Sequence, residues 1–215
     1  MIADIFLNRI TKWNDPRIKR LNPKIDLPAL NITPIYRSDN SGTTFNFTPY
    51  LSRISGAWRS GPGHGVSVLW PTGIGAKGSS GVAAALSQTD GAIGYVDLAY
   101  SLKNHFTFAA VQNAAGKFQL PGLRGIAAAA ATVMRLPADN SISIVNPSKK
   151  AQFAYPISTF TWVIVPLRTS KAPDLKRFIS WALTKGQSFG PKLLFQPLSK
   201  VVKAAPQRTL ARVHS

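Results

Sequence analysis

The 215 residues are 45% hydrophobic, with mean hydropathy near zero, enough apolar material to bury a substantial core in one large domain or two lobes. Twenty-six Lys and Arg face eight acids, giving a net charge of +18; every acid is Asp and Glu is absent. The apolar runs at residues 126–134 and 160–165 fall short of the roughly 18 to 20 residues of a membrane-spanning helix, so a soluble protein is expected. With no cysteine, disulfide and thiolate chemistry are excluded, and neither an oxidising nor a reducing compartment is favoured.

The chain opens on Met1, Ile2, Ala3 and Asp4, with no basic region followed by an apolar stretch, so this segment does not read as a secretory signal. Residues 4–10 predict a helix. At Trp13-Asn14-Asp15-Pro16, Asp15 is suited to cap a second short helix with Pro16 at its first position. Residues 31–36 predict a strand running into a polar loop. Beyond it Phe47, Leu51, Ile54 and Trp58 recur at helical spacing. Pro49 falls inside that helix and is expected to bend it, or to cost about 3 kcal/mol if it stays straight.

Residues 66–70 predict another strand, followed by a glycine-rich turn, an Ala-rich helix over 82–88 and a strand over 92–96. Further strands are expected at 106–112 and, buried, at 160–165 on its β-branched content. Helices are expected at 126–135, 175–183 and around 187–194. Residues 136–152 carry Pro, Asn, Asp and Ser with little periodicity, which suits a connection between lobes. Alternating strands and helices define an α/β class.

The segment Tyr36-Arg37-Ser38-Asp39-Asn40-Ser41-Gly42-Thr43-Thr44 gathers an arginine, several hydroxyls and a glycine at the start of a helix. Free N–H groups and the positive end of the helix dipole favour an anion there, and Gly42 lets the backbone come close. Arg37 adds a permanently charged planar fork that grips two oxygens. Asp39 is suited to orient that fork or to cap the turn. The same residue types also serve any strand-to-helix loop.

Gly73-Ile74-Gly75-Ala76-Lys77-Gly78 spells GxGxxG, with Asp97 about twenty residues on, as in a dinucleotide fingerprint. Pro71 breaks the strand-to-turn junction and no second mononucleotide half follows, so a structural turn is the expected role. His64, His105 and His214 are scattered, and no metal, catalytic or Walker motif appears; no cofactor or metal is expected. The basic residues are dispersed and heaviest toward the carboxyl terminus, without the basic stripe and stacking aromatics of a single-strand binder. A solvated basic surface is the expected reading, with a nucleic-acid or anionic-surface binder as the alternative.

Together, several segments resemble the periplasmic phosphate-binding protein of phosphate-specific ABC transporters, the PstS family. They are Ala3-Asp4-Ile5-Phe6-Leu7 with Ile10-Thr11-Lys12-Trp13-Asn14-Asp15-Pro16, then Arg37-Ser38-Asp39-Asn40-Ser41-Gly42-Thr43-Thr44, Trp70-Pro71, Gly75-Ala76-Lys77-Gly78 and Gly91-Ala92-Ile93-Gly94-Tyr95-Val96. Tyr155-Pro156-Ile157-Ser158 and Trp181-Ala182-Leu183-Thr184-Lys185-Gly186-Gln187 continue the likeness in the same order.

The resemblance implies an α/β, periplasmic-binding-protein-like (type II) two-lobed clamp that closes on dehydrated phosphate and hands it to a membrane permease. Residues 1–152 would form most of the second lobe, and residues 153–215 would return to a first lobe only partly present. Arg37, Ser41, Gly42 and Thr43 would bind phosphate, with Asp39 supporting Arg37. Asn40 departs from the usual glycine, and Asn tolerates left-handed backbone. The family's signal peptide and the first part of its first lobe have no counterpart here, so an amino-terminally truncated form is expected. That part would hold the aspartate that accepts the proton of hydrogen phosphate and excludes sulfate. Its absence predicts exposed apolar surface in the carboxyl-terminal segment. A non-enzymatic monomer, periplasmic by family and without nucleic acid as a partner, is the expected whole.

Overall fold

Asp15 begins the second helix as its position next to proline requires. In the computed structural model, which describes all residues from Met1 to Ser215, the Asp15 carboxylate accepts the Arg17 N–H at 2.9 Å, and Pro16 opens helix α2 (Pro16–Leu21). The helix before it, α1 (Ile2–Phe6), is shorter than its pattern predicts. It stops where Asn8 turns left-handed, at φ 58, and the N–H groups of Arg9 and Ile10 both fold back onto the Asp4 carbonyl.

The chain divides into two compact units, Met1–Thr107 and Phe108–Ser215. The first continues through β1 (Thr33–Arg37), α3 (Gly42–Ile54), α4 (Gly56–Ser60), β2 (Ile74–Ala76), α5 (Gly78–Gln88), β3 (Ala92–Gly94) and α6 (Leu98–Lys103). The three strands form one parallel sheet in the order β2-β1-β3. Parallel neighbours need crossover connections, which the helices between them supply. Ile35 on the central strand is fully buried, and its two sides pair with Ile74 and Gly94.

The predicted strand at 66–70 does not form; the segment is irregular and Leu69 stands in solvent. Its backbone braces a loop, with the Val66 carbonyl accepting the Ser41 N–H at 2.8 Å. The partner of β1 comes later, inside the glycine-rich stretch. Gly73, at φ +105, is what lets it approach: a Cβ there would sit 2.2 Å from the Pro34 carbonyl oxygen. Trp70, instead of standing on a strand, stacks on Tyr36 with ring centroids 5.0 Å apart. It also meets Trp58, Phe6 and Tyr95. Large rings in offset or edge contact bury much apolar area in few residues, and this cluster is the core of the first unit.

Helix α3 runs through Pro49 without interruption. The predicted continuation to Trp58 is instead a separate helix, because Ser55 adopts an extended backbone and its hydroxyl accepts the Trp58 N–H at 3.2 Å. After β3, which is shorter than predicted, Asp97 caps α6 by accepting the Tyr100 N–H at 3.1 Å.

In the second unit the strand expected over 106–112 reduces to β4 (Val111–Gln112), antiparallel to β5 (Phe118–Gln119). The Asn113 side chain closes this hairpin, accepting from Ala115 and Lys117 and donating to the Gln152 and Ala154 carbonyls. Helix α7 (Leu123–Ala130) ends earlier than predicted. Its Ala129 and Ala130 pack with Val133, Ile144, Ala154 and Val202. Helix α8 (Ala172–Leu183) forms where expected. The stretch after it, rich in glycine and interrupted by Pro191, makes only two 3-10 turns, Lys185–Phe189 and Pro191–Leu193. Helix α9 (Lys200–Ala211) was hidden by Pro206 inside it and by its charges, yet it buries Val202, Ala205 and Leu210.

The predicted buried strand at 160–165 is neither buried nor a strand: Val163 is 68% exposed and Ile164 95%. No other strand of the chain lies beside it to pair with. No helix is long and apolar enough to cross a membrane.

Gly73→Ala combines a left-handed backbone with a backbone clash. It is expected to cost about 2 kcal/mol or more, lowering the melting temperature by at least about 4 °C, as thermal unfolding followed by circular dichroism will show.

Candidate anion-binding site

Four residues separate the last residue of β1, Arg37, from the first of α3, Gly42, and all the residues predicted for a site lie on this stretch or at its two ends. Arg37, the last residue of β1, donates Nε to Asp39 Oδ1 and Nη2 to Asp39 Oδ2, both at 2.7 Å. The Arg37 side chain is only 12% exposed and Asp39 30%. Arg37 Nη1 reaches Ser79 Oγ at 3.4 Å. A guanidinium has five N–H donors. These three contacts leave one N–H on each terminal nitrogen, a coplanar pair suited to two oxygens of one anion.

Asp39 does more than pair with arginine. Its Oδ1 also accepts the Gly78 N–H at 3.0 Å, which ties the start of α5 to the same point. The Arg37 hydrogen bond, followed by the Gly78 N–H, holds the Asp39 carboxyl well below the usual carboxylate range. The same carboxylate raises the Arg37 pKa above its ordinary value.

Ser41, buried at the cap of α3, accepts the Thr43 and Thr44 N–H groups at 3.1 and 3.2 Å. Its hydroxyl proton is then left free to donate. The adjacent first residue of α3 is Gly42. A Cβ at Gly42 would meet nothing within 4 Å, so open space lies before the helix. Thr43 follows in the same turn. Ser41, Gly42 and Thr43 thus form one cluster of donors at the positive end of a 13-residue helix.

Tyr95 joins this cluster to Arg37. Its buried hydroxyl accepts the Arg37 backbone N–H at 3.1 Å and lies 2.7 Å from Thr44 Oγ1. One oxygen therefore spans the end of the strand and the first turn of the helix. Burial raises the Tyr95 pKa above its ordinary value, so the phenol stays protonated at neutral pH.

The sequence singles out Arg37, Asp39, Ser41, Gly42 and Thr43, and contains Thr44, Gly78 and Tyr95 only as members of resembling segments, with no role given to them; Ser79 it does not single out. Ser79, Gly78 and Tyr95 carry no local signal, since they reach Arg37 and Asp39 through tertiary contact, whereas Thr44 is held locally by the Ser41 cap. The glycines of Gly73-Ile74-Gly75 form the β2 edge rather than a loop around a ligand. His64, His105 and His214 are exposed and far apart in sequence, and no group of three or more His or Asp side chains is placed to hold a metal ion.

A parallel α/β sheet with a helix start at a strand's carboxyl end is an arrangement suited to holding a small anion. Residues 1–185 match the family model of the PBP superfamily domain, and the chain belongs to that superfamily. It is 41% identical over 201 residues to the phosphate-binding protein PstS of Xylella fastidiosa (strain Temecula1), a match covering 92% of this chain and 55% of that protein. With the phosphate-binding protein PstS of Pasteurella multocida (strain Pm70) it shares 37% identity over 206 residues, 94% of this chain and 59% of the other. Its fold is also similar to that of a solved high-affinity periplasmic phosphate-binding protein bound with phosphate, with a TM-score of 0.69 at 21% identity over 96% of this chain and 63% of that one. The chain spans about half the length of the curated relatives it matches.

An Asp39 pKa depressed in the folded state adds stability that is full above the ordinary carboxylate range, near 4, and is lost as the pH falls from there through the depressed value. A carbon-13 titration should find the Asp39 midpoint below that range. Arg37→Ala should return it most of the way toward normal; an unmoved midpoint would show that another group holds the carboxylate.

Proposed function

We propose that this chain captures inorganic phosphate as the substrate-binding component of an ABC-type phosphate import system. The observation that carries the reading is the Arg37 fork, locked by both Asp39 oxygens and in contact with Ser79, with two N–H groups left over. It stands tied through Tyr95 to the donor cluster of Ser41, Gly42 and Thr43. Arg37, Ser41, Gly42 and Thr43 are the phosphate-binding residues of this reading, and Asp39 is the support that aims Arg37. Relatives named for phosphate binding favour it over the basic nucleic-acid or anionic-surface alternative.

The role is capture, not catalysis. A fixed cation beside neutral donors binds an oxyanion without offering it a nucleophile or a general base. Delivery to a membrane permease from the periplasm or outer cell surface, as a monomer, completes the reading. Residues 1–152 are assigned to the lobe that carries the anion loop and residues 153–215 to the return segment.

Charge accounting also predicts selectivity. Three of the roughly four acceptor positions on the Asp39 carboxylate are already filled, which leaves Asp39 little capacity to test an anion for a proton. Phosphate and sulfate are therefore expected to bind this chain with comparable affinity. Isothermal titration with each anion, on protein shown to be folded by circular dichroism, measures this directly. A folded chain that binds neither would end the phosphate-capture reading.

Arg37→Ala is expected to weaken phosphate binding at least ~10-fold, since hydrogen bonds to charged groups contribute about 1.5 to 3 kcal/mol each. Lys77→Ala should change it less than about 3-fold, because exposed Lys77 makes none of these contacts and acts only at a distance through solvent. Equal effects would place the site elsewhere.

A further inference from the structure

We propose that a cleft between helix α9 and the loop after α7 is a second anion site, built for linked phosphate groups instead of a single one. It lies wholly within the second unit and shares no residue with the anion loop, so it does not rest on the reading of Arg37.

The cleft starts from helical spacing. Val201, Ala204 and Arg208 on α9, with Arg212 just past its end, recur at intervals of three and four and so fall on one side of the helix. All four line the cleft, and Met134, Arg135, Leu136 and Asn140 line it from the loop. The volume between them is about 520 Å³, within the roughly 300 to 1,000 Å³ of small-molecule sites.

Its walls are held in place. The Asn140 side chain donates Nδ2 to Thr209 Oγ1 at 2.8 Å, joining the loop to the helix. The Asn140 backbone N–H reaches the Pro137 carbonyl at 3.0 Å, and the Asn140 carbonyl accepts the Trp162 indole N–H at 3.3 Å. Leu136 packs against the cluster that contains Val202. A cleft whose walls are already tied together does not have to be ordered by its ligand.

The charges inside it are not spoken for. None of the Arg135, Arg208 and Arg212 guanidiniums makes an ion pair or a hydrogen bond within the chain. Only two of the eight acids, Asp139 and Asp174, belong to this unit. Asp139 accepts the Ser141 N–H at 3.0 Å, and Asp174 stands beside Arg177 at 3.9 Å. Three like charges around one cleft repel each other, and an anion between them turns that repulsion into attraction. Guanidinium forks suit phosphate oxygens above other anions, because each can grip two at once.

The count of forks sets the kind of phosphate. Arg208 and Arg212 stand about 6 Å apart along the helix axis, and Arg135 comes from the other wall. One tetrahedral phosphate has four oxygens, too few to give two to each of three forks. Two or three linked phosphates supply both the oxygens and the reach. The apolar side chains of Met134, Leu136 and Val201 beside the arginines leave room for an organic body joined to them.

Isothermal titration of the full chain with inorganic tripolyphosphate, at about 0.15 M salt to screen bulk attraction, should show saturable binding that persists in Arg37→Ala. Combining Arg208→Ala with Arg212→Ala should weaken it at least ~10-fold. Both arginines are exposed, so the circular dichroism should not change. Combining Lys149→Ala with Lys150→Ala removes the same charge from exposed positions of the same unit outside the cleft, and should weaken binding less than about 3-fold. Titration with ATP separates two sources of the same chemistry: binding tighter than tripolyphosphate marks an organic phosphate seated on the apolar wall, and weaker binding marks the free inorganic chain. Three results overturn the proposal: binding of neither probe, binding abolished by Arg37→Ala, or a lysine pair whose loss matches that of the arginine pair.

Discussion

A permanently charged guanidinium can hold a small anion firmly only if its own position is settled beforehand, and the Arg37–Asp39 pair supplies that condition. An exposed ion pair contributes little to stability. This one matters through geometry instead: two hydrogen bonds of 2.7 Å fix both the plane and the rotation of the fork. Because the same carboxylate takes the Gly78 N–H, the pair also fixes where α5 begins relative to β1. The glycine-rich stretch, the strand end and the first turn of α3 become one polar framework.

Beneath that framework lies an aromatic core whose packing and polarity serve different ends. Phe6, Phe47, Trp58 and Trp70 contribute area and shape. Tyr95 shares their contacts, stacking on Phe47 and Trp70, but carries a hydroxyl out of the core to Arg37 and Thr44. Buried phenols need a partner for their oxygen, and here that requirement is met by the two elements that frame the site. The core therefore meets the anion loop through the Tyr95 hydroxyl as well as through the packing of Tyr36 and Phe47.

The parts of this arrangement that were legible in sequence are those settled by neighbours in the chain. Asp15 before Pro16, Ser41 before Gly42 and the α/β alternation all declare themselves locally, and Arg37 and Asp39 are two residues apart. The parts that were not legible depend on distant partners. Residues 66–70 have strand composition, but β1 finds its neighbour at Ile74–Ala76, where Gly73 permits approach to the Pro34 carbonyl. Residues 160–165 have strand composition too, yet a strand exists only when another lies beside it. Pro206 masked α9, whose buried face is set by contact with α8 and with the cluster around Ala129, not by propensity. The resemblance to PstS proteins singled out Arg37, Asp39, Ser41, Gly42 and Thr43 without indicating that Ser79 and Tyr95 contact the same loop.

The distribution of tryptophan has an optical consequence. In the first unit Trp58 and Trp70 lie among other rings, and Trp13 is pinned by its indole N–H to the Gly91 carbonyl at 3.0 Å. In the second unit Trp162 and Trp181 are each 45% exposed. Rigid, desolvated indoles in asymmetric ring clusters emit at short wavelength and dominate the near-ultraviolet dichroism, whereas half-solvated ones emit further to the red and are open to soluble quenchers. The two halves of the chain thus differ in how far their indoles are exposed, so emission colour and quenching weigh the two halves unequally.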